Sequence, residues 1–123
     1  MSVDIVLAPK RKRAAGEVCD RPLVWPKVDA EHAARLARLA RALSEPVRVQ
    51  LLDVLRGHAG EVCVCELIPL FDLGQPTISH HLKVLREAGL VDVHRRGIWA
   101  YYHVLPDALE ELERWLSAFG ERS

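Results

Sequence analysis

The chain has 123 residues, half of them apolar and 28% charged, which leaves room for one soluble domain built around one core. No apolar run approaches the ~20 residues that a membrane span needs. The short apolar stretch from Ile5 to Ala8 precedes the basic cluster Lys10, Arg11, Lys12 and Arg13, the reverse of a secretion signal. These features read as a cytoplasmic protein with no membrane partner. In that compartment three cysteines, an odd number, are ligands, reactive thiols or packing residues, not a disulfide framework.

Lys and Arg together number 17 and so do Asp and Glu, so the overall basicity common in nucleic-acid binders is absent. The charge is unevenly placed, however. Residues 75–103 carry four cations against two carboxylates, and residues 106–123 carry five carboxylates against two cations. One segment could face phosphates, but two ordinary solvated surfaces explain the charge equally well.

Residues 1–28 lack sustained periodicity, contain Pro9, Pro22 and Pro26, and read as a mobile arm. Asp29 is a good N-cap for a first helix, with Ala33, Leu36, Ala37, Leu39 and Ala40 as its apolar stripe. Ser44 is expected to cap a second helix with Pro46 in its first turn, where a missing N–H is tolerated. Val47, Leu51, Val54 and Leu55 form its buried face, and Gly57 or Gly60 ends it. A short helix is expected from Val64 to Phe71, with Leu67, Ile68 and Phe71 inward. The turn Asp72-Leu73-Gly74 leads into a longer helix from Gln75 to Ala88, stopped by Gly89. Two strand-like runs follow, Leu90–His94 and Ile98–Val104, joined by Arg95-Arg96-Gly97 with Gly97 supplying a positive φ. A last helix over Asp107–Phe119 carries Leu109, Leu112, Trp115, Leu116 and Phe119 at helical spacing, and residues 120–123 are a tail. This order predicts a mainly α fold with a small β-hairpin, a winged helix-turn-helix over residues 29–119.

On a helical wheel for Gln75 to Glu87, Ile78, Leu82 and Leu85 share the buried stripe. Pro76, His80 and Lys83 lie opposite, flanked by Gln75, Ser79 and Thr77. Amide, hydroxyl, imidazole and cation are the groups that reach base edges, and they crowd the N-terminal half that such helices point into the major groove. Arg95 and Arg96 at the hairpin tip suit phosphate or minor-groove contact. Double-stranded DNA is the partner this implies. His81 falls between the arcs and reads as a histidine bonded within the domain.

Three stretches carry a family resemblance. GQPTISHHLKVLREAGL, from Gly74 to Leu90, closely resembles the recognition helix of the ArsR/SmtB metalloregulators. LSEPVRVQLL, from Leu43 to Leu52, looks like that family's second helix, and EVCVCEL, from Glu61 to Leu67, is similar to the ELCVCDL box of its arsenic and cadmium/lead sensors. The resemblance spans about residues 30–118. It implies a homodimer joined through the first and last helices, here through Leu36, Leu39, Leu112, Trp115, Leu116 and Phe119. It further implies a two-fold symmetric operator, released on ion binding, with Gln75, Pro76, Ser79 and His80 facing the bases. The family's last-helix zinc site is not expected, because Leu109 and Gly120 stand where its histidines would be.

Cys63 and Cys65 in a regular helix would sit about 200° apart, unable to share an ion. They converge only if the chain is extended or unwound at the helix start. Cys63 lies where an N-cap would be, and Pro69 lacks the N–H that would bond the carbonyl of Cys65, so a soft turn is expected there. The remaining cysteine, Cys19, is in the arm. Three thiolates suit pyramidal As(III) or Sb(III). Cd(II), Pb(II) or Zn(II) would call for a fourth ligand such as Asp20. A thiol redox protein, or a repressor that senses oxidants, is the rival reading. No phosphate loop, carboxylate pair or nucleophile–base motif points to an enzyme.

Overall fold

A computed structural model describes residues 22–58 and 61–120. Cys19, Asp20 and the basic cluster Lys10 to Arg13 lie outside the described residues. Helix α1 spans Ala30–Ala42, and α2 spans Pro46–Arg56. A two-residue strand β1, Val62–Cys63, leads directly into the one-turn helix α3, Val64–Leu67. A 3-10 turn over Ile68–Leu70 follows, then helix α4, Gln75–Glu87. Strands β2, Val91–Arg96, and β3, Trp99–Val104, form the wing, and α5 covers Pro106–Ser117 before a 3-10 turn to Gly120. The sheet is antiparallel in the order β1-β3-β2. This is the expected winged helix-turn-helix, with a third strand that the periodicity did not announce.

The start of α1 follows the expected chemistry, since Asp29 Oδ1 accepts the His32 N–H at 2.8 Å. The start of α2 does not. Ser44 donates its hydroxyl to the Arg41 carbonyl at 2.7 Å and so serves the end of α1. Glu45 is the N-cap of α2 without a side-chain cap bond, and Pro46 supplies the first turn. Helix α4 ends one residue earlier than expected, through a Schellman arrangement around Gly89 at φ +80°. There the Leu90 N–H bonds the Leu85 carbonyl at 3.0 Å, and the Gly89 N–H bonds that of Arg86 at 3.0 Å.

The core is continuous among Leu39, Leu51, Leu55, Leu67, Ile78, Leu82, Leu85, Leu90, Val91 and Tyr102. Ile78, Leu82 and Leu85 are fully buried, as the wheel requires. Ile68 and Phe71 pack against this core only in part. Leu36 and Leu39, expected at a partner interface, are already buried in the single chain. Leu109 and Leu112 also pack inward from α5, whereas Leu116 is 52% and Phe119 73% exposed.

The hairpin corrects the expected register. Arg95 and Arg96 belong to β2, and the connection is the two-residue turn Gly97-Ile98 between the paired Arg96 and Trp99. Gly97 at φ +61° occupies the first central position, where a two-residue hairpin demands positive φ. Since strand side chains alternate, the two arginines leave the sheet on opposite faces. Arg95 shares the face of Val91 and Val93, which meets the core, and Arg96 shares the outer face with His94.

Candidate DNA-reading face and thiol site

Helix α4 presents Gln75, Pro76, Thr77, His80 and Lys83 to solvent, with Ser79 half-buried. Gly74, extended at φ −77° and ψ 164°, is its N-cap, and Pro76 is in the first turn. The side chains suited to base edges therefore lie at the open N-terminal end of a helix whose other face is locked into the core.

The orientation of α4 is fixed by a residue that sequence reasoning passed over. Arg48 of α2 donates Nε to the Ala42 carbonyl at 2.6 Å and Nη2 to that of Arg41 at 3.3 Å, satisfying the end of α1. Its Nη1 lies 3.2 Å from His81 Nδ1 on α4. One guanidinium thus joins three helices, and His81 acts as an acceptor inside the domain. A signal was available, because Arg48 falls on the same helical face as Leu51, Leu52 and Leu55. A cation on an apolar stripe needs partners.

The thiols meet without any unwinding. Cys63 is extended at φ −74° and ψ 142° and caps α3, its sulfur accepting the Cys65 N–H at 3.4 Å. Glu66 accepts the Cys63 N–H at 2.9 Å, which completes a capping box. Cys65 then points its S–H at Cys63 Sγ, 2.7 Å away. The turn is a closed cap and not the soft one expected from Pro69. Its cost falls on Cys65, whose thiol is held above its ordinary pKa. The hydrogen bond to Cys63 is the main cause, with desolvation and the neighbouring Cys63 and Glu66 adding to it.

Cys63 and Cys65 line a cleft of about 320 Å³ together with Gln75 and Ser79 of α4 and Arg95 and Trp99 of the wing. The thiol pair and the reading end of α4 are therefore walls of the same space. Arg96 is placed elsewhere. It bonds Glu61 Oε1 at 2.9 Å and lies over the Tyr101 ring, 5.2 Å from its centroid. On α5, Trp115 and Phe119 meet edge to face at 4.9 Å, beside the exposed Leu116.

A helix-turn-helix with an exposed polar face on its second helix, beside a two-stranded wing, has the form of a DNA-binding transcriptional regulator. Comparison with known proteins narrows the class. Residues 45–93 match the family described as bacterial regulatory protein, arsR family. An HTH-type transcriptional regulator of Methanocaldococcus jannaschii is 35% identical over 82 residues, 67% of this chain and 91% of that protein. An arsenic resistance transcriptional regulator of Pseudomonas putida is 40% identical over 78 residues, 63% of this chain and 57% of that protein. The structure of an ArsR-like transcriptional regulator from Rhodococcus sp. RHA1 superposes with a TM-score of 0.63 at 27% identity, over 73% of this chain and 83% of that one. The chain belongs to the ArsR family of transcriptional regulators.

The Arg48–His81 contact makes a pH prediction. Burial, and then the charge of Arg48, lowers the His81 pKa below its ordinary 6.5. As pH falls through that ordinary value, the unfolded chain takes up the proton before the folded one does. Stability present at neutral pH is therefore lost on acidification, until the lowered folded value is passed. His81→Gln, which keeps an acceptor for Arg48, should flatten the decline in urea midpoint between pH 7 and pH 5.5. Parallel declines in variant and parent would refute the assignment.

Proposed function

We propose that the protein is a repressor that binds a two-fold symmetric operator as a homodimer. It is released when trivalent arsenic or antimony is captured by Cys63, Cys65 and Cys19. The observation that carries this reading is the convergence of the Cys63 and Cys65 sulfurs at 2.7 Å on the wall of the cleft that also holds Gln75, Ser79 and Arg95. An ion taken up there would displace both the S–H···S contact and the N–H···S bond that caps α3. It would do so against the base-reading end of α4. Differential affinity for the DNA-free form is what such a switch requires.

The chemistry of the pair supports a trivalent metalloid over a divalent cation. Arsenous acid condenses with three thiols by exchanging its three hydroxyls for sulfurs and releasing three waters, with no net proton lost. Cd(II), Pb(II) or Zn(II) must displace the thiol protons and would call for a fourth ligand beyond the three cysteines. Relatives described as arsenical resistance operon repressors, from Escherichia coli and from Staphylococcus xylosus among others, point the same way. A partner copy would cover the exposed Leu116 and Phe119 of α5, with Trp115 beside them. Leu36 and Leu39 are occupied in the core and contribute less than the family resemblance implied.

For DNA reading, Gln75→Ala or His80→Ala should reduce discrimination between operator and random duplex by about 1–3 kcal/mol per lost base contact. Arg95→Ala should weaken both complexes and lower the salt slope by about 1, whereas Arg96→Ala, already held by Glu61, should do less. Binding titrations at several salt concentrations measure this, and unchanged discrimination in both helix variants would remove the assigned face.

For assembly, Leu116→Glu and Phe119→Glu each place a charge on a surface exposed in the single chain, so the protomer should still fold. Each should sediment as a monomer at micromolar concentration and lose palindromic binding. A parent that already sediments as a monomer contradicts the proposed dimer.

For the switch, Cys19→Ser, Cys63→Ser and Cys65→Ser should each bind operator yet resist release by arsenite. X-ray absorption at the arsenic edge should count three sulfur neighbours in the parent and fewer in each variant. Release of the parent by peroxide, or by cadmium, but not by arsenite would replace the metalloid reading with a redox or divalent-ion one. An arsenite response in Cys19→Ser equal to the parent's would refute the three-thiolate site.

A further inference from the structure

The outer face of the wing carries a second set of donors unrelated to the cysteines. Glu61, immediately before β1, and His94 of β2 and His103 of β3 bring one ligand atom each within 4.8 Å of one another. The geometry follows from register. Asp92 pairs with His103 and His94 with Tyr101, so the two imidazoles are diagonal neighbours on one face. Val62 pairs with Tyr102 toward the core, so Glu61, one residue earlier, alternates to the outer face beside them.

Two features set this trio apart from an ordinary polar surface. Glu61 Oε2 and His103 Nδ1 are shielded from solvent, and among the described residues neither has a hydrogen-bond partner. Oε2 is in ion-pair contact with His94 Nδ1, so among the described residues His103 Nδ1 is the atom left without a partner. A shielded polar atom without a partner is costly, and a cation held there would satisfy His103 Nδ1 in its unprotonated tautomer. The other carboxylate oxygen, Oε1, is held at 2.9 Å by Arg96, which leaves Oε2 turned toward the imidazoles, as an outer-sphere partner orients a ligand. The three residues also line a cleft of about 530 Å³ together with Arg56 and His58, which leaves room beside them for a further ligand.

We propose that Glu61, His94 and His103 form a binding site for a divalent first-row transition ion, Zn(II) foremost. Two imidazoles and one carboxylate are the donor set of open zinc sites. Around such an ion, with bonds of ~2.0–2.2 Å, ligand atoms stand roughly 3–3.5 Å apart, so the close His94–Glu61 pair would open and the wider spacings would close in. The set contains no thiolate and so has no affinity for trivalent arsenic; borderline nitrogen and oxygen donors select Zn(II), Co(II), Ni(II) or Cu(II). Binding would staple the segment before β1 to both strands of the wing. The proposal is independent of the thiol site and of the inducer assigned to it.

The test uses the full chain with Cys19, Cys63 and Cys65 all replaced by Ser, so that no thiolate can contribute. Titration with Co(II) should give one saturable d–d absorption band per chain with no sulfur charge-transfer band. Zn(II) should displace the Co(II) and raise the melting temperature. In this background His94→Ala, whose side chain is 44% exposed and which should fold normally by circular dichroism, should lower Co(II) affinity at least tenfold. Glu61→Gln and His103→Ala should do the same and abolish the zinc-dependent rise in melting temperature. A three-serine chain that binds neither ion stoichiometrically, or one whose binding survives His94→Ala and His103→Ala unchanged, would overturn the proposal.

Discussion

The molecule turns on two residues of extended chain, Val62 and Cys63. Their pairing with Tyr102 and Tyr101 holds the backbone straight up to the first residue of α3. Such a short strand has little stability of its own, and it persists because Val62, Cys63 and Tyr102 are all buried. Because Cys63 stays outside the helix, its sulfur can cap α3 and meet Cys65, two positions on. In an uninterrupted helix the same two side chains would have parted to opposite faces. The same strand delivers Glu61 to the outer face of the wing. One local constraint therefore places both Cys63 and Glu61.

The clusters are close in sequence and separate in chemistry. The sulfurs face the cleft between α4 and the inner side of the wing, beside the groups suited to DNA. Glu61, His94 and His103 line a separate cleft, with Arg96 bonded to Glu61. Sulfur donors and nitrogen and oxygen donors thus line different clefts, and the two sets differ in the class of ion they would suit. Arg95 and Arg96, adjacent in the chain, are divided between these two environments by strand alternation alone.

The reading helix depends on a second constraint. Arg48 satisfies carbonyls at the end of α1 and orients His81 on α4, so the exposed face of α4 is held from behind by a charged group as well as by Ile78, Leu82 and Leu85. A guanidinium can serve three helices because its donors form a rigid planar fork, which a lysine lacks. Any movement of α3 or α4 must work against this frame, whereas the cleft shared by Cys63, Cys65, Gln75 and Ser79 lies outside it.

Helix positions, the turn before α4, the glycine that ends it and the solvent face of the reading helix were all written in the sequence. Each depends on contacts within a few residues: the 3.6-residue period, caps, and the backbone freedom of Gly89. The need for extended chain at Cys63 was legible for the same reason. Pairings between distant segments were not legible. Strand β1 is too short to show a period, and Ser44 looked like a cap for α2 because its alternative partner, the Arg41 carbonyl, appears only once α1 has ended there. The wing shows the limit most clearly. Taking Arg95-Arg96-Gly97 as the turn instead of Gly97-Ile98 put both arginines at a tip and hid the shared face of His94 and His103. Which residues face each other across a sheet is fixed by register, and register is decided by which side chains the assembled core accepts.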